Sequence, residues 1–283
     1  MNILYCGDGN IADGVLMSVL SLLHSNNEPL NVYILTADVN TESRECRALS
    51  DEFVKGIDRL IKQFDKNGSA ELFNITELFY TQRPAANMET RFTPCCMLRL
   101  FADCVKELPD RILYLDNDVI CRKDCSDFYH QDIENYELCG VLDYYGRWFF
   151  KKNFFRWDYL NSGVLLLNLE YIRRTGLFSR CREMCRTEKM FMPDQSSLNK
   201  LSEHKKICER KYNEQRKLHD TTVFQHFTTG FRFLPFFRTV SVKPWDIERV
   251  HSVLKLHEYD DLYEQFAECK STITKHEESN ANA

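Results

Sequence analysis

Short apolar runs alternate with longer amphipathic stretches along the first half of the chain. The apolar runs predict strands at 2–7, 30–36, 70–76 and 112–115. The amphipathic stretches predict helices at 11–25, around 41–66 and at 95–108, the last bounded by Pro94 and Pro109. This alternation predicts an α/β fold with a mostly parallel sheet, whose ligands bind at the carboxyl ends of the strands.

The second half of the chain is less regular. Apolar runs predict further strands at 136–145 and 162–172, and helical spacing predicts a helix at 178–190. From residue 271 onward the sequence is polar and aperiodic, which predicts a frayed tail.

Composition excludes several classes of protein and partner. With 43% hydrophobic and 28% charged residues, the chain is an ordinary globular sequence. Its formal net charge of -5 provides no basic surface for nucleic acid. The N-terminus lacks the features of a signal peptide, so a cytoplasmic location is expected. The 12 cysteines include no Cys-x-x-Cys pair and are expected to be free thiols.

Two aspartates follow the strand predicted at 112–115. Asp116 and Asp118 are separated by one residue, so in an extended segment both carboxylates point to the same side. Two like charges held together need a cation, and hard oxygen ligands suit Mn²⁺ or Mg²⁺. A solvated turn is the alternative interpretation, because a single Asp-x-Asp pair also arises by chance.

Further sequence stretches accompany this motif. They are "NILYCGDGNIA" at the N-terminus, "LYLDNDVI" around the aspartates, "YLNSGVLLLNL", "PDQSSLN" at 193–199, and a late histidine followed by "KPW" at 243–245. With these stretches in this order, the chain resembles the retaining glycosyltransferases of family 8, which include glycogenin and bacterial lipopolysaccharide galactosyl- and glucosyltransferases.

The resemblance covers roughly residues 1–245. It implies one domain with the GT-A nucleotide-diphospho-sugar transferase fold, a Rossmann-like, mixed but mostly parallel sheet flanked by helices. Residues 246–283 are then expected to form a C-terminal helical extension that ends in the frayed tail.

The resemblance also implies a binding site for a UDP-sugar. Asp8 and Asn10 follow the first strand, where a carboxylate can accept the uracil N3–H and an amide can pair with a uracil carbonyl. A plain Asp-Gly turn is the alternative for this stretch. Asn117, between the two aspartates, is assigned to the same site, and Arg99 is expected to contact the donor or to be an ordinary helix-surface arginine.

By the same resemblance, His226 is the third metal ligand and Lys243 neutralises the diphosphate. In the family these two elements are close together, whereas 16 residues separate them here. A loop inserted around "FRFLPFFR" explains the gap.

Two of the matched stretches carry polar residues that are assigned to the donor site, with Asn161 and Ser162 among the residues that bind the UDP-sugar. Asn161 and Ser162 precede a glycine and an apolar run, which places their side chains at a cleft floor. Asp194 and Gln195 follow Pro193 at a predicted helix start, where an N-cap is the alternative for Asp194. The resemblance assigns Asp194 and Gln195 to the sugar, and Asp143 to a further acidic position beside it.

The expected reaction is metal-dependent transfer of glucose or galactose from a UDP-sugar to a saccharide or lipid-linked glycan, with retention of configuration. Front-face attack by the acceptor is favoured over a covalent intermediate, because an amide such as that of Gln195 is a poor nucleophile. Two other classes remain open. One is a metal-dependent nucleotidyltransferase, although "YCGDGN" is not a basic phosphate loop. The other is a catalytically silent nucleotide-sugar-binding protein.

Two aromatic segments interleave rings with cations, at 147–157 and 231–238. They are expected either to fill a core or subunit interface, or to rim the acceptor side of the cleft and contact a membrane peripherally. Phe149, Phe150, Phe236 and Phe237 are the rings assigned to that contact.

Overall fold

The structure is a computed structural model that describes residues 1–90, 93–144, 158–232 and 238–281. The strands are β1 Asn2–Cys6, β2 Asn31–Thr36, β3 Val39–Asn40, β4 Glu45–Cys46, β5 Ser69–Asn74, β6 Arg111–Leu115, β7 Val119–Cys121, β8 Leu138–Leu142, β9 Leu160–Asn168, β10 Lys205–Ile207, β11 Phe224–His226, β12 Gly230–Arg232 and β13 Arg238–Val240. The α-helices are α1 Ala12–Ser25, α2 Asp51–Phe64, α3 Thr76–Thr81, α4 Ser126–Tyr129, α5 Leu169–Thr175, α6 Leu177–Thr187, α7 Pro193–Leu201, α8 Ile247–Arg249 and α9 Asp260–Ala281. The 3₁₀ helices are Gly9–Ile11, Ala85–Asn87, Pro94–Cys104 and Arg210–Tyr212, and Val250–Leu254 is a π-helix.

A seven-stranded sheet in the order β10-β8-β9-β6-β1-β2-β5 forms the centre of the molecule. Strand β9 runs antiparallel to both of its neighbours, and the other adjacent pairs are parallel. The central strands are buried almost throughout, because apolar side chains on both of their faces are covered by packing layers. The predicted α/β fold with a mixed, mostly parallel sheet is confirmed.

Two packing layers cover the sheet. Helices α1, α2 and α9 pack on one face, whereas the 3₁₀ helix Pro94–Cys104 and α6 pack on the other. Helix α2 forms because Ser50 accepts a hydrogen bond from the Phe53 amide at 3.1 Å and so caps its first turn. Its apolar residues recur at helical spacing, and Phe53, Ile57 and Leu60 are buried on one face.

Three of the predicted elements depart furthest from the observed boundaries. The region predicted as a helix from 41 contains the β3–β4 hairpin, and α2 begins only at Asp51, after the Ser50 cap. The helix predicted at 95–108 is a 3₁₀ helix that ends at Cys104. The strand predicted at 162–172 ends at Asn168, because the Asn168 side chain accepts from the Tyr171 amide and starts α5.

The C-terminal segment is helical through Ala281, which corrects the prediction of a frayed tail from about residue 271. Ile273 is only 6% exposed and packs against Gly56 of α2, where a Cβ atom would lie 2.7 Å from Ile273 Cγ1. Lys270 pairs with Asp13 of α1 at 2.7 Å. Tertiary packing on α1 and α2 therefore stabilises a segment whose composition alone suggests disorder.

Two structural findings bear on the predicted membrane contact. Among the described residues, no helix is both long enough and apolar enough to span a bilayer. Phe149, Phe150, Phe236 and Phe237, in the aromatic segments at 147–157 and 231–238, lie outside the described residues. Their contact with acceptor or membrane remains a prediction.

Candidate active site

The two aspartates lie in the turn between β6 and β7. Strand β6 pairs with β9 in a register that sets Leu115 opposite Val164, so the next residue, Asp116, faces Gly163. The Asp116 amide donates to the Gly163 carbonyl at 2.8 Å, and the Val119 amide donates to the Asp116 carbonyl at 3.2 Å. The expectation that both carboxylates follow a buried strand is confirmed.

His226 reaches this turn through the pairing of two short strands. Strands β7 and β11 are antiparallel, with Val119 opposite His226. As a result, His226 Nε2 lies 3.1 Å from Asp118 Oδ1 and 3.6 Å from Asp116 Oδ2. The structure therefore brings together the three side chains assigned to the metal from sequence.

The second ring nitrogen of His226 has its own partner, Asn213. His226 Nδ1 lies 3.1 Å from Asn213 Oδ1, and Asn213 Nδ2 donates to Asn161 Oδ1 at 2.9 Å. An Nδ1–H bond to the amide oxygen orients the ring and leaves Nε2 free to bind a metal. Asn213 is fully buried, and the sequence analysis missed it.

These three residues fit a divalent cation. The ligand atoms of Asp116, Asp118 and His226 all lie within 4.8 Å of one another. Residue 163 must be glycine, because a Cβ atom there would lie 2.1 Å from His226 Cε1 and 2.7 Å from Asp116 Oδ2. Carboxylate oxygens with one imidazole nitrogen suit Mn²⁺, and also Mg²⁺.

Arg99 lies behind the aspartates, on the 3₁₀ helix Pro94–Cys104. Its guanidinium is 2.9 Å from Asp116 Oδ1 and 3.3 Å from Asp194 Oδ2, and it donates to the Ser162 carbonyl at 2.8 Å. Arg99 is only 5% exposed, which rules out the alternative of an ordinary surface arginine. Its side chain instead fixes two carboxylates and the start of β9.

Lys243 approaches from the solvent side. Its Nζ lies 2.5 Å from Asp118 Oδ2, while 42% of its side chain remains exposed. The 16 residues between His226 and Lys243 include the antiparallel pair β12–β13, which returns the chain to the site. The unusual spacing therefore does not separate the two residues in space.

Opposite charges dominate the electrostatics of the cluster. Burial opposes ionisation of the Asp118 carboxyl, but His226 and Lys243 outweigh burial and hold its pKa well below the usual range. Burial likewise opposes the His226 imidazolium, yet Asp118 and Asp116 raise its pKa above the ordinary value. A bound cation would replace the imidazolium proton, because a histidine ligand must be neutral.

A second hydrogen-bond network adjoins the cluster. Gln195 Nε2 donates to Asp143 Oδ2 at 2.9 Å, and Gln195 Oε1 accepts from the Ser162 amide at 2.9 Å. Asn161 Nδ2 also donates to Asp143 Oδ2, at 3.2 Å. All four residues are buried, so both ends of the Gln195 amide are held in one orientation.

Asp194 occupies the first turn of α7. The N-cap position of that helix is Met192, so the alternative of an Asp194 N-cap is wrong. Burial raises the pKa of Asp194 more than the Arg99 guanidinium lowers it, and Asp116 raises it further.

A cavity of about 480 Å³ lies beside the cluster. Its lining includes Asp8, Asn10, Arg44, Asn117, Lys243 and Trp245. The Asp8 side chain accepts from the Asn10 amide at 3.1 Å, so the turn expected as the alternative is present, and it caps the 3₁₀ helix Gly9–Ile11. Lys243 connects the cavity to the cluster, since it lines the cavity and pairs with Asp118.

The predicted residues thus form one continuous site at the carboxyl edge of the sheet. Direct contacts join Asp116, Asp118, His226, Lys243, Arg99, Asp194, Ser162, Gln195, Asp143 and Asn161. Asp8, Asn10 and Asn117 line the adjoining cavity. Their individual roles remain predictions.

Comparison with known proteins identifies the family. The model of "Glycosyl transferase family 8" matches residues 2–248. Glycosyltransferase GlyA of Streptococcus pneumoniae is 28% identical over 196 residues, which are 68% of this chain and 25% of GlyA. Lipopolysaccharide 1,2-glucosyltransferase of Escherichia coli is 22% identical in an alignment of 293 positions that covers 90% of this chain and 82% of that enzyme. The chain therefore spans about a quarter of the length of GlyA but most of the length of the glucosyltransferase.

A solved structure shares the fold. Galactosyltransferase LgtC, crystallised with donor and acceptor sugar analogs, superposes with a TM-score of 0.65 at 17% identity, over 96% of both chains. This likeness confirms the predicted GT-A fold. Because the family model covers most of the chain, the protein belongs to glycosyltransferase family 8.

Proposed function

We propose that this protein transfers a hexose, glucose or galactose, from a UDP-sugar to a saccharide or lipid-linked glycan, with a divalent metal and with retention of configuration. The main support for this proposal is the cluster of Asp116, Asp118 and His226, which Lys243 connects to a cavity of about 480 Å³. The names of a glucosyltransferase and a galactosyltransferase among its relatives support a hexose donor.

The cavity would hold the nucleoside, and the cluster would hold the diphosphate. Asp8 and Asn10 offer a carboxylate acceptor and an amide to the uracil edge. Asn117 and Lys243 lie between the cavity and the metal ligands, where the two phosphates would extend. Because Lys243 is partly exposed, its ammonium can turn from Asp118 towards the diphosphate.

Asp116, Asp118 and His226 would hold Mn²⁺ or Mg²⁺, which supplies positive charge to the departing diphosphate. Lys243 adds a second positive charge at the same place, and stabilising developing charge is usually the largest catalytic contribution. Arg99 keeps Asp116 and Asp194 at fixed distances, and Asn213 holds the His226 ring.

The sugar would lie over Gln195, Asp143 and Asn161. The oxygen and the nitrogen of the Gln195 amide are both hydrogen-bonded. The amide can therefore present a fixed polar group to the sugar, but it is not placed to act as a nucleophile. The Asp143 carboxylate accepts from Gln195 and Asn161, and the Asp194 carboxylate pairs with Arg99 and lies 3.5 Å from the Ser162 hydroxyl, so both carboxylates already have partners. These contacts favour front-face attack, in which the acceptor oxygen bonds to the anomeric carbon, the bond to the diphosphate breaks, and the hydroxyl proton passes to the diphosphate.

The test is incubation with UDP-glucose or UDP-galactose, Mn²⁺ and a panel of saccharide acceptors. We expect acceptor-dependent release of UDP and a product with the donor's anomeric configuration, measured by NMR. A nucleotidyltransferase would instead release pyrophosphate from a nucleoside triphosphate, and a silent binding protein would bind the UDP-sugar without turnover. Either of those results, or a product of inverted configuration, contradicts the proposal.

A further inference from the structure

A second group of metal-ligating side chains adjoins the cavity. The Asp8 carboxylate and the thiols of Cys46 and Cys95 lie within 4.8 Å of one another. All three are buried, with exposed fractions of 4%, 4% and 2%. The group combines two thiols with a carboxylate, a different chemistry from the oxygen-rich cluster around Asp118.

Backbone contacts hold the three residues together. The Gly9 amide donates to the Arg47 carbonyl at 2.7 Å, which ties the loop of Asp8 to strand β4, where Cys46 lies. Thr93 Oγ1 accepts from the Cys95 amide at 3.2 Å and lies 3.6 Å from Cys46 Sγ. Three chain segments thus converge on a single point.

The donor set matches Zn²⁺ rather than Mg²⁺ or Mn²⁺. Zinc takes thiolate and carboxylate ligands at about 2.0–2.3 Å in a tetrahedral arrangement, which needs ligand atoms about 3.5–3.8 Å apart. Spacings of up to 4.8 Å require only a small contraction. With three protein ligands, one tetrahedral position remains for water from the cavity, because Asp8, Cys46 and Thr93 all line it.

Zinc binding must remove a proton from each thiol. Burial raises the pKa of both Cys46 and Cys95, so in the absence of a cation the pair is neutral. Binding would break two S–H bonds, form two Zn–S bonds and release two protons to solvent, while an oxygen of the Asp8 carboxylate binds directly.

We propose that Asp8, Cys46 and Cys95 form a Zn²⁺ site that competes with binding of the donor nucleotide. The competition rests on the proposed function, in which the Asp8 carboxylate accepts the uracil N3–H. Oδ1 of Asp8 already accepts from the Asn10 amide at 3.1 Å. The base and the cation therefore compete for Oδ2, so zinc and UDP exclude each other. The zinc site itself rests only on the three side chains.

The site is tested first without nucleotide, on the full chain. Co²⁺ is added to the reduced protein, and thiolate-to-cobalt charge-transfer absorption is expected in the near ultraviolet, together with release of two protons per Co²⁺ bound at the site. Zn²⁺ should then displace the cobalt and abolish the absorption without further proton release. Cys46→Ser and Cys95→Ser should each weaken the absorption, and Asp8→Asn should lower the zinc affinity. Asp118→Asn should leave the absorption intact, because it alters only the other cluster.

The double variant Cys181→Ser/Cys185→Ser is the matched control, since these thiols are also buried but belong to α6. Circular dichroism verifies that each variant is folded. Wild-type protein without the charge-transfer band, or a band that survives in both Cys46→Ser and Cys95→Ser, overturns the site.

Competition is tested next, by measuring UDP affinity at saturating Mg²⁺ with increasing free Zn²⁺. At ten times its own Kd, zinc should raise the apparent Kd for UDP about elevenfold in wild type. Cys46→Ser should show no zinc-dependent change relative to its own zinc-free value. A protein that shows the cobalt band but does not bind UDP would support the zinc site and contradict the proposed function. Simultaneous binding of zinc and UDP would overturn the competition.

Discussion

Asp118 is paired with two cationic side chains at once. His226 Nε2 lies 3.1 Å from one of its oxygens and Lys243 Nζ lies 2.5 Å from the other. Each oxygen of this buried carboxylate therefore has a cationic partner. Among the described contacts, Asp118 is the nearest carboxylate to both His226 and Lys243.

Asp118→Asn should abolish Mn²⁺ binding and lower turnover at least about 10²- to 10³-fold, the range for losing a group that stabilises developing charge. The substitution removes a ligand charge and the partner of Lys243. Calorimetry with Mn²⁺ and UDP release are the measurements, with circular dichroism as a check of folding. Asp110→Asn is the matched control, because Asp110 precedes β6 and its exposed side chain pairs with Arg173, away from the metal ligands. Undiminished activity of Asp118→Asn, or of wild type in EDTA, contradicts metal dependence.

Asn213→Ala should weaken metal affinity about 10- to 100-fold, the usual cost of losing the partner that orients a histidine ligand. The Asn213 carbonyl is the partner of His226 Nδ1 at 3.1 Å. Asn26→Ala serves as the control, since Asn26 is also buried but bonds the Cys125 amide. If both variants bind Mn²⁺ as wild type does, Asn213 does not position the ligand.

Sequence alone could locate some of these residues but not others. Asp116 and Asp118 carry a local signal, because a buried strand ends immediately before them. Asn213 carries none, since its partners Asn161 and His226 are 52 and 13 residues away. Arg99 was expected to contact the donor, but only the fold shows its guanidinium between Asp116 and Asp194.

At the scale of elements, helix α9 is the clearest departure from the sequence pattern. Tyr263, Phe266 and Ile273 of this helix are buried at spacings of one or two helical turns, yet the residues around Ile273 are polar. A single buried residue in a polar stretch produces little hydrophobic periodicity, so the local sequence does not predict the stabilising contact with α2. By contrast, β1, α1 and β2 have strong local patterns, and their predicted and observed limits agree within one residue.

Ile273→Ala should lower the free energy of unfolding by about 2–4 kcal/mol, because it leaves a cavity beside Gly56. Urea unfolding followed by circular dichroism measures this change. Thr274→Ala is the control, since the neighbouring side chain is exposed and its removal should change stability by less than about 0.5 kcal/mol. Equal stability of the two variants would mean that the end of α9 does not contribute to the fold.

At the scale of the whole molecule, the reversed direction of β9 assembles the site. Because β9 is antiparallel to β6 and β8, its first residues, including Asn161 and Ser162, meet the carboxyl ends of both neighbours. Asp116 and Asp143 follow those neighbouring strands, and Asp8 follows β1 on the other side of β6. One edge of the sheet therefore gathers residues that lie far apart in sequence. The cavity lies on the β1 side of this edge, and the network of Gln195, Asp143 and Asn161 lies on the β8 side.

This arrangement predicts that the whole protein binds UDP more tightly than ADP or GDP. A carboxylate at the base edge accepts the N3–H of uracil, whereas adenine has an unprotonated ring nitrogen there and its lone pair would face the Asp8 oxygen. Guanine also carries a ring N–H, but a purine places that edge further from the ribose than uracil does, away from the position where the uracil N3–H would meet Asp8.

Asp8→Ala should reduce this preference about 10- to 100-fold, since an unmade bond to a buried polar group costs about 1–3 kcal/mol. Calorimetric titration with the three diphosphates at one Mg²⁺ concentration gives the comparison. Asp13→Ala is the matched control, because Asp13 lies one turn further on and pairs with Lys270 at the surface. Equal affinities of wild type for UDP, GDP and ADP would refute uracil recognition by Asp8, while leaving the metal cluster and its dependence on Asp118 unaffected.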